Sequence, residues 1–333
     1  LPGFSKTLRK AVTMRRQRRR RWRGAWRAAR AAAAMLALLP VAALPAVAAA
    51  SAPPAAATAP SPTPAAAAPP RVAVSIAPAA YFVERIGGPR MQVEVMVPPG
   101  VEEETYAPSP RQLVDLLQAR LYVAVGHAAF PLETQSLLPF LATHPEIRVV
   151  SMSRGVTLIP MGDAPSAGRS TDPHFWNAPA PAAIAARNIA GGLEAVDPAR
   201  RQVYLAGLAA LERDLRALDA AFRRVAAGPR PVRFISYHPA WGYLAHQYGF
   251  QQISVEAGGK EPGAASLVAL ATAARRDGVR LMLVPIGLPS KQTESLASSI
   301  GGKVLAVDYM ARDWLATMWR LEAALAEVAG VHA

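Results

Sequence analysis

Short apolar runs rich in β-branched residues alternate with amphipathic segments from residue 71 onward. Runs of this length, bounded by turn-forming residues, are typical of buried strands. Helical segments of about ten to fifteen residues separate most of them, and this spacing predicts βαβ units and parallel sheets. The predicted strands are 71–76, 91–97, 121–125, 147–152, 232–237, 252–255, 280–285 and 303–308.

The helical segments carry apolar residues at a spacing of three to four. One of them, 198–227, is close to 30 residues long and lacks an interior proline, and Pro198 suits its first turn. At 1.5 Å per residue it spans roughly 45 Å, which indicates a rigid connector. The other predicted helices are 81–86, 109–119, 180–194, 241–248, 264–277, 291–300 and 311–328.

These patterns predict an α/β fold with two lobes of parallel-sheet βα units joined by one long rigid helix. We expect an N-terminal lobe at 71–195, a linking helix within 196–228 and a C-terminal lobe at 229–333. We also expect the helix to limit lobe motion to small tilts.

The first 50 residues have the pattern of a secretory signal peptide, with Met14 as the expected start. An arginine-dense block at 15–30 precedes an apolar run that ends in small residues at Ala48-Ala49-Ala50. An uncleaved membrane anchor is the alternative, although Pro40 and Pro45 interrupt the run. Residues 51–70, almost entirely Ala, Pro, Ser and Thr, predict a disordered tether.

The net charge of +14 comes mainly from the first 50 residues, which hold 12 of the 37 basic residues and no acidic ones. The rest of the chain has 25 basic and 23 acidic residues, so its net charge is close to zero. A nucleic-acid-binding surface is therefore not supported. The absence of cysteine excludes disulfides, thiolate metal sites and a lipid-modified N-terminus. We therefore expect an exported protein with a cleaved signal peptide that is not a lipoprotein.

Four polar residues lie at or near the ends of predicted strands or in a rigid loop: Glu104, His174, His238 and Asp308. Ligands gather at the carboxyl ends of parallel strands, and two imidazoles with two carboxylates suit a divalent first-row metal. Each residue alone also has a structural interpretation, such as a capping or solvated group. His127 follows a strand too, and we interpret it as a cleft-rim or structural residue.

The segment Asp172-Pro173-His174-Phe175-Trp176 resembles the Asp-Pro-His-x-Trp motif of metal-specific periplasmic binding proteins of ABC importers, the zinc and manganese receptor (TroA-like) family. The likeness covers about residues 71–328. Four further segments resemble family segments in the right order: Thr105–Pro110, Tyr237–Leu244, Glu261-Pro262 and Val307–Tyr309. The resemblance implies two α/β lobes joined by a long helix, with Glu104, His174, His238 and Asp308 as ligands.

Two departures from the family pattern bear on the metal. Glu102-Glu103-Glu104 stands where the family usually has histidine before its Thr-Tyr pair, and Glu103 competes with Glu104 for that role. The short segment 162–170 has no histidine, unlike the His/Asp-rich loop of many zinc members. The extra carboxylate favours manganese or iron, whereas intrinsic affinity favours zinc, so both remain open.

The resemblance implies a non-enzymatic solute-binding protein, expected as a monomer, that delivers its metal to an inner-membrane ABC permease with a cytoplasmic ATPase. Its affinity should fall below about pH 6 as histidine protonates. The alternatives are a secreted metallohydrolase, for which no spare general base is evident, and an adhesin or scaffold in which the metal is structural.

Overall fold

The computed structural model describes residues 68–101, 103, 105–161, 171–256, 264–286 and 291–331. The signal-peptide prediction, nearly all of the predicted tether, Glu104 and the segments 162–170 and 261–262 therefore lie outside the described residues. Eight strands occur in the described part of the chain, one at each predicted position. They are β1 Arg71–Val74, β2 Gln92–Val95, β3 Leu121–Ala124, β4 Arg148–Ser151, β5 Arg233–Ser236, β6 Gln251–Ser254, β7 Leu281–Val284 and β8 Lys303–Ala306.

The strands form two four-stranded sheets in which all neighbours are parallel. The first has the order β2-β1-β3-β4 and the second the order β6-β5-β7-β8. The central strands β3 and β7 are buried along their whole length, as expected for parallel sheets covered on both faces. The predicted class, two parallel-sheet α/β lobes with a long helix, is confirmed.

The described α-helices cover the sheets and connect their strands. They are α1 Ala77–Gly87, α2 Pro110–Leu116, α3 Leu138–Leu141, α4 Pro179–Val196, α5 Arg201–Ala226, α6 Gly242–Tyr248, α7 Ala264–Arg276, α8 Lys291–Ser299 and α9 Trp314–Ala329. In the described part of the chain, no helix combines the length and apolar character needed to cross a membrane.

The long helix α5 has 26 residues, so it spans about 39 Å. It begins later than predicted, because Pro198–Arg200 form a separate 3₁₀ turn ahead of it. Its buried face, which includes Leu211, Leu215 and Leu218, packs on α1, α4 and α9. Helices from both halves of the chain therefore share one continuous apolar face, which suits a rigid connector.

One helical region was not predicted. A π-helical segment, Leu132–Leu137, runs directly into α3, which carries Pro139 in its first turn. The backbone N–H of Leu138 donates to the carbonyl of Glu133, five residues earlier. The wider π-helical turn keeps the backbone helical between Pro131 and Pro139. A search for apolar residues with a period of about 3.6 does not detect such a turn.

Candidate metal centre

His174 is fully buried and held in one orientation by Asp172. The Asp172 Oδ1 atom accepts two hydrogen bonds of 2.8 Å, from the backbone N–H and from the ring Nδ1 of His174. A hydrogen bond of this kind places the ring proton on Nδ1 and leaves Nε2 with its lone pair directed away from the carboxylate. Pro173 and the 3₁₀ turn Phe175–Asn177 fix the backbone on either side.

His238 is held in the same way from the second sheet. It follows β5, and its Nδ1 lies 2.9 Å from Oε2 of Glu256, which follows the neighbouring parallel strand β6. The C-terminal ends of the parallel strands β5 and β6 therefore bring the imidazole and its carboxylate partner together. The Nε2 atom of His238 lies 3.2 Å from Nε2 of His174, so the two predicted histidines face each other.

Glu103 completes the group. Its side chain is 1% exposed, and its Oε1 lies 3.3 Å from His174 Nε2. Within the described ranges, Glu103, His174 and His238 form one set of metal-capable side chains whose ligand atoms all lie within 4.8 Å of one another. Three electron-pair donors thus converge on one small volume.

The charges of these groups shift one another's pKa values. Burial lowers the pKa of His174, but its hydrogen bonds to Asp172 and Glu103 outweigh burial and raise the pKa to about 9. Burial raises the pKa of Glu103, yet the hydrogen bond and charge of His174 outweigh it and hold the pKa below its usual value. The two carboxylates beside His174 therefore favour a positive charge at this position.

Asp308 lies just beyond β8, and its Oδ1 accepts a 2.8 Å hydrogen bond from the backbone N–H of Met310. Burial raises the pKa of this carboxyl, the Met310 N–H lowers it, and the charge of Glu103 raises it again, with a net upward shift. Asp308 is therefore within the electrostatic reach of Glu103 but outside the three-residue set. Glu104, the other predicted carboxylate, is not among the described residues.

His127 has a structural role. The backbone N–H of Ala129 donates to its Nδ1 at 3.1 Å, which leaves Nε2 to donate to Oγ1 of Thr171 at 2.8 Å. Burial lowers its pKa, partly opposed by Asp172 and reinforced by His174, so the ring is neutral. Its contact with Thr171 holds the start of the segment that carries Asp172 and His174.

Sequence reasoning did not assign the partners that orient these groups. The motif gives Asp172 no separate role, and no sequence pattern singles out Glu256, although it follows a strand. The hydroxyl of Tyr309 donates to Oε2 of Glu103 at 3.1 Å across 206 positions of sequence. A Cβ atom at Gly242 would lie 2.4 Å from Asp172 Oδ2, so glycine at the first position of α6 leaves that carboxylate in place.

The chain resembles known proteins in both sequence and fold. Residues 72–327 match the family model described as ZnuA, zinc-uptake complex component A, periplasmic. The high-affinity zinc uptake system protein ZnuA of Bacillus subtilis is 26% identical over 254 residues, covering 68% of this chain and 74% of that protein. The iron-binding protein YfeA of Yersinia pestis is 30% identical over 172 residues, covering 51% and 54%.

The solved structures include similar folds. The crystal structure of a zinc-bound ZnuA deletion mutant superposes with a TM-score of 0.68 and 31% identity, over 79% of this chain and 98% of that one.

Proposed function

The chain belongs to the ZnuA family of periplasmic zinc-uptake complex components, and from that premise we propose that it captures a divalent transition metal ion for an ABC importer. It binds the ion in the periplasm and passes it to an inner-membrane permease that is driven by a cytoplasmic ATPase. The metal is cargo, and the protein acts as a monomer and as a binding component rather than as an enzyme.

The observation that carries the proposal is the convergence of Glu103, His174 and His238 within 4.8 Å. Each imidazole has its other nitrogen against a carboxylate, at 2.8 Å for His174 and 2.9 Å for His238. Carboxylate–histidine pairs of this kind orient the ring and increase its basicity as a metal ligand. The arrangement supports a preorganised cation-binding site.

The ligand set we propose is His174 and His238 together with two carboxylates. Glu103 is the carboxylate of the first lobe, with Glu104 as the alternative, and Asp308 is the fourth ligand. Asp308 lies close enough to Glu103 for that charge to add to burial, which is the main cause of its raised pKa. Closure of this fourth contact would hold the ion between the two lobes.

Zinc is the ion we expect to bind most tightly. Two nitrogen and two oxygen ligands suit its tetrahedral preference, and zinc lies above iron and manganese in intrinsic affinity. The zinc uptake function of the Bacillus subtilis relative agrees with this choice, and the iron-binding relative makes iron(II) the first competitor to test, with manganese(II) second.

The hydrolase and adhesin alternatives are less favoured. Glu103 and Asp308 serve as ligands in this proposal, while Asp172 and Glu256 are committed to the histidines. A hydrolase requires a further general base and an open metal position, and these residues supply neither.

A zinc titration at several pH values tests the function and its pH dependence. We expect one zinc per chain, with affinity rising about tenfold per pH unit between pH 7 and 8 and levelling off near pH 9. The sign follows from the raised pKa of His174, because its proton competes with the metal until the pH passes about 9. Calorimetry in two buffers of different ionisation enthalpy measures the proton released. No zinc uptake at any pH, or uptake without proton release at pH 7, contradicts the proposal.

A further inference from the structure

The two oxygens of the Glu103 carboxylate have different surroundings. Oε1 lies 3.3 Å from His174 Nε2, towards the proposed metal position. Oε2 accepts a 3.1 Å hydrogen bond from the hydroxyl of Tyr309. Because the carboxylate is 1% exposed, no bulk water competes for the second oxygen. The side chain therefore presents a single oxygen to the site.

The phenol of Tyr309 is fixed by contacts on several sides. Its ring stacks on His238, with centroids 4.8 Å apart and an angle of 13° between the planes, and it meets His174 edge to face at 5.6 Å. Its backbone carbonyl accepts a 3.0 Å hydrogen bond from the indole of Trp176. Each of these contacts involves the ring or the backbone, whereas the hydroxyl donates to the Glu103 carboxylate.

Asp308, the neighbouring carboxylate, is restricted in the same way. Its Oδ1 is taken by the Met310 N–H at 2.8 Å, which leaves Oδ2 as the oxygen available to a cation. Glu103 and Asp308 would each give one oxygen, and His174 and His238 would each give one nitrogen. Four single-atom ligands fit the tetrahedral zinc ion, whereas manganese(II) favours an octahedral set richer in oxygen.

We propose that Tyr309 is a specificity-determining positioning residue that keeps Glu103 monodentate and thereby favours zinc over manganese. The inference rests on the proposed function, since it assigns a selectivity to the same site. Without the hydroxyl, Oε2 is free to turn towards the ion, and a bidentate carboxylate raises the coordination number. The hydroxyl thus acts on the metal through Glu103 without touching it.

The test compares the full chain with Tyr309→Phe, which keeps the ring stacked on His238 and the backbone contact to Trp176. Tyr248→Phe is the matched control, because its hydroxyl donates to Asp219 at 2.8 Å outside this cluster. Each protein is titrated with zinc and with manganese(II) separately. Each is also loaded with cobalt(II), whose visible absorption is strong when four-coordinate and weak when six-coordinate.

In the parent and in Tyr248→Phe we expect the strong cobalt spectrum and a large preference for zinc. In Tyr309→Phe we expect a weaker spectrum and a zinc-to-manganese affinity ratio lowered about tenfold or more, the order of one hydrogen bond to a charged group. An unchanged spectrum and ratio in Tyr309→Phe overturns the inference while leaving metal capture intact. A weak spectrum in the parent also overturns it. A parent that binds none of the three metals overturns the proposed function itself.

Discussion

We expect the replacement of His174 by alanine to lower the zinc affinity by at least about a hundredfold, more than the loss typical for a residue that only orients a ligand. His174 is the centre of the cluster, since its Nε2 lies 3.3 Å from Glu103 and 3.2 Å from His238. Without it, the proposed set loses one of its two nitrogen ligands and the three remaining groups leave one position of a tetrahedral ion open. Isothermal titration with a competing chelator measures the change.

The control for this variant is His246→Ala, which removes an exposed histidine from α6. It should bind zinc as the parent does. Because the loss of His174 leaves Glu103 and Asp172 buried without a cation, the variant also needs a thermal unfolding measurement. His238→Ala, at a less buried position, provides a second variant in case the first does not fold. If both folded variants keep the parent affinity, the cluster is not the metal site.

We expect the replacement of Glu103 by glutamine to lower the zinc affinity by about a hundredfold, and the same change at Glu104 to alter it by less than about threefold. Glutamine keeps the size of the side chain but removes the negative charge that faces both histidines. The pair of variants differs by one position, so each serves as the control for the other. Chelator competition gives both affinities.

A larger loss of affinity in the Glu104 variant than in the Glu103 variant would identify Glu104, and not Glu103, as the first-lobe ligand. Small and equal changes in affinity for both variants would show that neither carboxylate is a ligand of the ion. The structure favours Glu103, because its carboxylate is buried and lies in hydrogen-bond contact with His174 and Tyr309.

Hydrophobic periodicity predicted the strands well, since parallel strands buried on both faces are short continuous apolar runs. It also predicted α5, whose length and freedom from interior proline are visible in the sequence. It missed the helical region from Leu132 to Leu141, because Pro131 and Pro139 are usually helix-ending signals and a π-helical turn has a different period.

The sequence identifies some members of the candidate site, whereas the others depend on which strands and loops lie side by side. The strand-end rule led to His238, and the loop motif led to His174. Glu256 required the knowledge that β6 lies beside β5, and strand order is not readable from periodicity. Tyr309 meets Glu103 across 206 positions, a contact that depends on how the two halves of the chain pack together.

The position of the bound ion is the most direct test of the central claim. Crystals of the zinc-loaded protein, measured on both sides of the zinc absorption edge, locate the metal from its anomalous scattering. We expect one peak between the Nε2 atoms of His174 and His238 and the Oε1 atom of Glu103, at distances of about 2.0–2.2 Å. A peak elsewhere on the chain, or no peak from protein that has taken up zinc, would contradict it.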